Sequence, residues 1–318
     1  MAEFEPRECV FPRIAIIANP RAGSTTVEYS SSVAARCREH ADHVTLLHTE
    51  HPGHASELAT RAATGAERVD LVVALGGDGT VREVVAGLVD GADPITGPPL
   101  VMLPGGTANS GYRSLWDDAP WDESLAAALT GAAEHRRLDL ARIAVLDRLV
   151  FLGLSTGLFA AATARARNSP VRGRPRYQRA ITESLRTYVP YRGRVIVDGT
   201  VVQAGPTILA NIGGGRHRAG VFQVLPRSIR DDGLLDVCIF DPETTAETAL
   251  ALARSGAHLD CAGTTYAQGR SITLERLDGR PLHFEHDGEV IPTDRTSITV
   301  DVLPNALHVL ASPKRPGG

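Results

Sequence analysis

The chain has 318 residues, of which 43% are hydrophobic and 22% charged, with a formal net charge of −4, enough for two compact domains with a core each. This balance offers no electrostatic footprint for nucleic acid, and an aromatic content of 5% offers no stacking surface for bases. No apolar run approaches the ~20 residues that span a bilayer. The segment Met1-Ala2-Glu3-Phe4-Glu5-Pro6 lacks the basic and apolar regions of a signal peptide, so a cytoplasmic protein is expected.

From Arg13 to about Asp139, apolar runs alternate with helical patterns. Ile14-Ala15-Ile16-Ile17-Ala18 is followed by a helix through the thirties, Val44-Thr45-Leu46-Leu47, a helix from Ala55 to Ala63, Leu71-Val72-Val73-Ala74-Leu75, a helix after Thr80, and Leu100-Val101-Met102-Leu103. Strands spaced by helices predict a parallel sheet covered on both faces, whose ligands bind beyond the carboxyl ends of the strands. The loops expected there carry glycine or small polar residues: Asn19-Pro20-Arg21-Ala22-Gly23-Ser24, His48-Thr49-Glu50, Gly76 to Thr80, and Pro104-Gly105-Gly106-Thr107-Ala108-Asn109.

The third loop is the most informative. Leu75-Gly76-Gly77-Asp78-Gly79-Thr80 joins an apolar strand to a segment with Val81, Val84, Val85 and Leu88 at i, i+3, i+4, i+7, which predicts strand, tight turn and helix. Glycines let the backbone approach a ligand, and the first helical turn offers unpaired N–H groups to a phosphate. Asp78 would repel that phosphate unless a cation lies between them, so the string points to a nucleotide site working with a divalent metal. A glycine-rich βα turn without a ligand is the plainer alternative.

Beyond residue 140 shorter β-rich runs appear, among them Leu149-Val150-Phe151-Leu152, Val195-Ile196-Val197, Thr207-Ile208-Leu209-Ala210, Leu235 to Phe240, Ser271 to Leu274 and Ser297 to Val300. Asp198-Gly199, Asp232-Gly233, Asp278-Gly279 and Asp287-Gly288 supply turns, as an antiparallel sandwich requires. The expected organisation is an α/β domain over 13–140, a β-sandwich domain over 141–305, and a tail over 306–318 with room to return to the first domain.

Several patterns invite other chemistry. Gly153-Leu154-Ser155-Thr156-Gly157 matches the nucleophile elbow of a serine hydrolase and lies between an apolar strand and a helical run; close strand packing explains the same small residues. His48, His51 and His54 fall at threes, but Pro52-Gly53 breaks any helix that would align them for a metal. In His283-Phe284-Glu285-His286-Asp287-Gly288-Glu289, alternation on one strand would bring His283, Glu285, Asp287 and Glu289 to one face. The arginines from Arg165 to Arg194, with Tyr177, Tyr188 and Tyr191, suit either a solvated helix or a patch for anionic headgroups. Cys9, Cys37, Cys238 and Cys261 are scattered and read as unpaired thiols.

Asn19-Pro20 with Gly23, Gly76 to Thr80 followed by Glu83-Val84, Leu103 to Asn109, Arg230-Asp231-Asp232-Gly233-Leu234-Leu235-Asp236 and Asp287-Gly288-Glu289 occur in this order. Together they resemble the diacylglycerol kinase catalytic-domain family, which includes bacterial lipid kinases and the sphingosine and ceramide kinases. The resemblance implies a doubly wound α/β nucleotide domain, an antiparallel β-sandwich and a catalytic cleft between them. It implies ATP contacts from Asn19, Pro20, Arg21, Ala22, Gly23, Thr49, Gly76, Gly77, Asp78, Gly79, Thr80, Val81, Arg82, Thr107 and Asn109. Asp78 would hold a catalytic Mg²⁺, Glu289 would accept the proton, and Asp232 with the carbonyls of Ile229 and Leu234 would hold a structural Mg²⁺. The expected reaction is transfer of the γ-phosphoryl group of ATP to a hydroxyl of a lipid or lipid-like alcohol, compatible with peripheral contact at the inner membrane face and with a homodimer.

Where the family carries Asn-Asp in its third motif, this chain has Asn109-Ser110, and Ser110 supplies no carboxylate. Either Asp78 and Glu289 suffice, or the acceptor is held differently, or the protein binds nucleotide without catalysis. The basic glycine run Asn211 to His217 is a candidate for an anionic acceptor. A soluble natural product and NAD⁺ are alternative acceptors, since Gly-Gly-Asp-Gly is also found in NAD kinases.

Overall fold

The computed structural model describes residues 9–64, 68–91, 96–171, 174–218 and 221–313; the first eight residues and the tail beyond Pro313 lie outside these. The chain forms two compact units, one reaching Arg137 and resuming at Leu307, the other spanning Leu138–Ala306. Among the described residues no helix is long and apolar enough to cross a membrane.

The first unit alternates β1 (Arg13–Ala18), α1 (Val27–Arg38), β2 (His43–His48), α2 (His54–Thr64), β3 (Leu71–Gly76), α3 (Asp78–Gly91) and β4 (Leu100–Pro104), then α4 (Ser110–Trp116) and α5 (Trp121–Leu129). The strands are parallel in the order β2-β1-β3-β4. β3 is buried at every position and β1 at all but its first, because helices cover both faces of a parallel sheet and its central strands must be continuously apolar. Edge strand β2 mixes exposed and half-buried positions. The connection from β1 runs toward one edge and that from β3 toward the other, so the two loops splay apart at a topological switch point. The predicted stripe Val81, Val84, Val85 and Leu88 is buried, and the turn before it shrinks to Gly77 alone, since β3 ends at Gly76 and α3 starts at Asp78.

The second unit contains β5 (Glu134–Ile143, which starts in the first), β6 (Arg148–Val150), β7 (Leu154–Thr156), α6 (Leu158–Arg167), α7 (Arg174–Leu185), β8 (Tyr191–Val197), β9 (Thr200–Thr207), β10 (Leu209–Gly213) and β11 (Leu235–Phe240). Then follow α8 (Ala246–Leu252), β12 (Thr264–Gly269), β13 (Ser271–Arg276), β14 (Phe284–His286), β15 (Glu289–Ile291) and β16 (Ser297–Ala311), whose end lies in the first unit. There Val309 pairs in parallel with Leu100 of β4. One antiparallel sheet is built from β16, β13, β8 and β9, the other from β12-β11-β10-β7-β14-β15. Val195, Ile272, Leu274 and Val300 of the first sheet pack with Ile212, Val237, Ile239 and Phe284 of the second, which makes a β-sandwich. The other face of the second sheet is covered by Phe159, Ile181 and Leu250 of α6, α7 and α8, so β10 and β11 are buried throughout.

The sequence differs from the structure at two instructive places. Thr207 to Ala210 is not one strand: Thr207 closes β9 in one sheet and Leu209 opens β10 in the other. Ile208, at the crossing, donates its N–H to Phe240 O at 2.8 Å and accepts Leu158 N–H at 2.9 Å. β5 escapes sequence detection because its opening Glu134-His135-Arg136-Arg137 lacks apolar alternation.

Candidate active site

Three loops of the first unit are bonded to one another at the carboxyl ends of their strands. Asn19 donates its backbone N–H to Leu75 O at 3.0 Å, and its side-chain Nδ2 to Thr80 Oγ1 at 2.9 Å. Gly105 N–H donates to Gly76 O at 2.8 Å, and Ser24 N–H to Gly105 O at 3.0 Å. Asn109, in the left-handed region at φ 52°, spends both ends of its amide on Gly106, accepting from N–H at 2.8 Å and donating to O at 3.0 Å. Asp78 begins α3 and accepts the N–H of Gly111 on Oδ1 at 3.0 Å. The first bond of this helix, from Val81 N–H to Gly77 O, leaves the N–H groups of Asp78, Gly79 and Thr80 outside the helical ladder.

The glycines of these loops do two different jobs. A Cβ on Gly76 would lie 2.7 Å from Thr80, on Gly105 2.8 Å from the Cα of Gly76, and on Gly106 2.4 Å from the Cα of Gly77. At Gly105 and Gly106 backbone packs on backbone, and at Gly76 it packs on the Thr80 side chain. Gly79 has nothing within 4 Å of such a Cβ, and Gly23 only Thr107 Oγ1 at 3.9 Å. Of these loop glycines, Gly79 and Gly23 are the ones with space beside the backbone in the Cβ direction, where a ligand has room to approach. Pro20, Arg21 and Thr107 are exposed, Ala22 and Arg82 half-buried, and Thr49 buried beside β1, with its N–H on Ala18 O at 2.9 Å. Val81 points into the core at 3% exposure, so its side chain offers nothing to a ligand. Ser110 opens α4, and the residue after it is the one that touches Asp78.

Glu289 sits in the second unit at the exposed start of β15, opposite His286 across a two-residue turn. Asp287 and Gly288 form that turn at φ 50° and 82°, the left-handed pair that a type I′ hairpin demands. The turn overturns the expectation of one continuous face: His283 is exposed, Glu285 is buried on β14, and Glu289 lies on the returning strand. Asp287 points its carboxylate into the preceding loop, accepting Phe151 N–H at 2.9 Å, Leu152 N–H at 2.6 Å and Gly153 N–H at 3.2 Å. Burial opposes this charge, but His286 and the amide donors outweigh it and hold the carboxyl below the usual carboxylate range. Glu285 accepts Gly288 N–H on Oε2 at 3.0 Å and the Arg218 guanidinium on Oε1 at 2.5 Å.

The loop bearing Ile229, Asp232 and Leu234 is pinned by Asp139. That buried carboxylate accepts Gly233 N–H at 2.6 Å and Asn305 N–H at 2.8 Å, and Asp139 N–H donates to Arg230 O at 2.7 Å. Asp232 is exposed and accepts Leu234 N–H on Oδ1 at 3.0 Å. Nearby, Asp236 is fully buried with Oδ2 unpartnered; burial, reinforced by the charge of Asp232 and opposed by the Tyr266 hydroxyl, raises its carboxyl. The Asp232 carboxylate and the carbonyls of Ile229 and Leu234 are all oxygen donors, the type that a hard cation such as Mg²⁺ takes. Asp78 likewise retains carboxylate lone pairs beyond its bond to Gly111.

The rival constellations resolve differently. Ser155 is 0% exposed, donates to Asn211 Oδ1 at 2.6 Å and accepts from Arg218 at 3.2 Å, so it is no nucleophile elbow. A Cβ on Gly153 would lie 2.6 Å from Ile212 O, and on Gly157 2.1 Å from Ile208 O: the small residues serve strand packing. His51 and His54 do come together, stacked at 4.6 Å with Glu57 in reach, because His54 N–H turns back onto His51 O. The Nδ1 lone pair of His54 is already taken by Glu50 N–H at 3.1 Å. Tyr177, Tyr188 and Tyr191 pack against the apolar cores and do not form an outward aromatic patch, while Arg165 and Arg179 pair with Glu183 and Arg194 with Glu275. Arg216 of the glycine run donates to Ser228 O at 3.3 Å. All four cysteines are free thiols.

Residues 13–143 match the diacylglycerol kinase catalytic domain, and residues 153–311 match the YegS C-terminal NAD kinase beta sandwich-like domain. The chain belongs to this diacylglycerol kinase family with a YegS-type C-terminal domain. It is 29% identical over 251 residues to a Salmonella heidelberg protein named probable lipid kinase YegS, covering 78% of this chain and 80% of the relative. A diacylglycerol kinase structure from Bacillus anthracis shares the fold at TM-score 0.70 and 20% identity, covering 96% of this chain and 98% of that one. An NAD kinase from Archaeoglobus fulgidus, solved with ATP, shares it at TM-score 0.50 and 14% identity, covering 95% and 93%.

Proposed function

We propose that this protein is an ATP- and Mg²⁺-dependent lipid kinase that phosphorylates a hydroxyl of a lipid or lipid-like alcohol of the diacylglycerol or sphingoid type. The observation that carries the reading is the interlocked set of loops at the switch point, which leaves open backbone at Gly23 and Gly79 and sets Asp78 at the start of α3. Free N–H groups of the first helical turn and open glycines suit the phosphates of ATP. Asp78 would hold the catalytic Mg²⁺, and Asp232 with the carbonyls of Ile229 and Leu234 a structural one. Bound there, the metal supplies charge compensation for the transferring phosphoryl group. Glu289, a solvent-accessible carboxylate on a tightly held turn, is suited to take the proton from the acceptor hydroxyl. Family membership and the name of the Salmonella relative support a lipid as the acceptor.

Incubation with labelled ATP and a panel of diacylglycerol, sphingoid bases, glycolipids, soluble alcohols and NAD⁺, followed by mass spectrometry, tests the acceptor class. A product only from NAD⁺ would overturn the lipid assignment. Glu289→Gln is expected to slow transfer about 10²-fold with ATP binding near wild type, and unchanged kinetics in that variant would remove Glu289 as the base.

A further inference from the structure

The buried ion pair of Arg218 and Glu285 has no place in the reaction described above, yet it is joined to the turn that carries Glu289. Arg218 and Glu285 are 9% and 2% exposed. The guanidinium donates to Glu285 Oε1 at 2.5 Å and to Ser155 Oγ at 3.2 Å, and Ser155 in turn donates to Asn211 Oδ1 at 2.6 Å. The other oxygen of Glu285 receives the N–H of Gly288 at 3.0 Å. Gly288 is the residue immediately before Glu289, and at φ 82° it has no freedom to take another side chain without strain. Asp287 fixes the other half of the same turn through three backbone amides.

We infer that Arg218 and Glu285 are positioning residues for Glu289. The guanidinium holds the Glu285 side chain in place, and that carboxylate fixes the Asp287–Gly288 peptide, one peptide unit before the backbone that carries Glu289. A charged pair is a poor way merely to fill a core, because two apolar residues of similar volume often serve as well or better. What an apolar pair cannot supply is an acceptor for Gly288 N–H. Misplacing a catalytic group by about 1 Å costs on the order of 10²-fold in rate, so the loss of this acceptor acts on the chemical step and leaves nucleotide affinity alone. This rests on Glu289 as the base.

The experiment compares Arg218→Met, Glu285→Met and the double variant R218M/E285M with wild type, alongside Glu289→Gln. Each is assayed for kcat with 1,2-diacylglycerol in detergent micelles, KM for ATP, melting temperature and amide exchange at Gly288 by NMR. Single variants strand a buried charge and are expected to melt early. The double variant is expected to recover its melting temperature while kcat stays about 10- to 100-fold down, with KM for ATP within about twofold and Gly288 exchange faster. The amide reading needs no acceptor and stands even if diacylglycerol is not phosphorylated. Wild-type kcat in the double variant, or unchanged Gly288 exchange, would overturn the positioning role while leaving the base assignment intact. Wild-type kinetics in Glu289→Gln would overturn the base assignment, and the inference with it.

Discussion

The loops around Asp78 and the turn before Glu289 are held in place by opposite means. In the first unit, backbone lies directly on backbone: Gly105 packs on Gly76 and Gly106 on Gly77, and main-chain bonds from Asn19 to Leu75, Ser24 to Gly105 and Gly105 to Gly76 cross the loops. In the second unit the turn is held by charged side chains taken out of water, Asp287 on three amides and Glu285 between Arg218 and Gly288. The first arrangement is damaged by adding atoms, the second by removing charge. A substitution that leaves one untouched is therefore the one expected to harm the other.

The largest effect is expected at the carboxylate that neither scaffold needs. Asp78 is half-buried and accepts from Gly111 N–H, a bond that Asn can keep. Asp78→Asn should reduce turnover to background by weakening the metal site, while the melting temperature moves little. Retained turnover would separate the loops from the chemistry. Next comes Asp287→Asn, which halves the acceptor capacity facing three amides and should cost about 2–3 kcal/mol in urea denaturation at pH 7. The sign of its pH dependence follows from a folded-state pKa below the ordinary 3.8. Stabilisation by the charge is complete above the unfolded value and fades as pH falls through the folded one. The gap between wild type and Asp287→Asn should therefore close as pH drops below about 4; a constant gap would show that shape, not charge, holds the turn.

A smaller effect tests the backbone side of the comparison. Gly105→Ala places a Cβ 2.2 Å from Thr25 Oγ1 and 2.8 Å from the Cα of Gly76. The hydroxyl can rotate away, but the backbone cannot, so a loss of about 1–3 kcal/mol is expected. Wild-type stability in this variant would mean that the loops give way more easily than their contacts suggest.

The same contrast explains what could be seen in the sequence. A site made by backbone contact needs glycine at fixed positions, so Gly76-Gly77-Asp78-Gly79 and Gly105-Gly106 announce the switch-point loops at once. The parallel sheet is equally visible, because strands buried on both faces are continuous apolar runs. A site made by long-range charge pairing leaves no such mark: Arg218 and Glu285 are 67 residues apart, and either would pass for a solvated charge. Asp139, just past the charged start of β5, leaves no mark either, because its carboxylate is held by the distant backbone amides of Gly233 and Asn305. Asp287-Gly288 announces the hairpin by its turn residues, but counting alternate positions unites His283 with Glu289 only where no turn reverses the strand between them. Glycine itself is ambiguous, since the sequence does not tell a packing glycine from one left open for a ligand.

That ambiguity is what the smallest prediction addresses. Gly79 lies in the first turn of α3, has no positive φ, and a Cβ there meets nothing within 4 Å. On the scaffold alone Ala is the better residue, because it restricts the unfolded chain and favours the helix, by up to about 1 kcal/mol. The folded protein should accordingly become slightly more stable in Gly79→Ala. If the open space is where phosphate approaches the backbone, the added methyl group intrudes on that approach, and the Kd for ATP measured by calorimetry should rise about 5- to 10-fold, or about 1–1.4 kcal/mol. Gain of stability with loss of affinity is the signature of a glycine kept for its ligand, and it is the reverse of what Gly105→Ala should give. Gain of stability with unchanged affinity would shift the nucleotide contact away from α3 toward Gly23, the other position where the loops leave backbone uncovered.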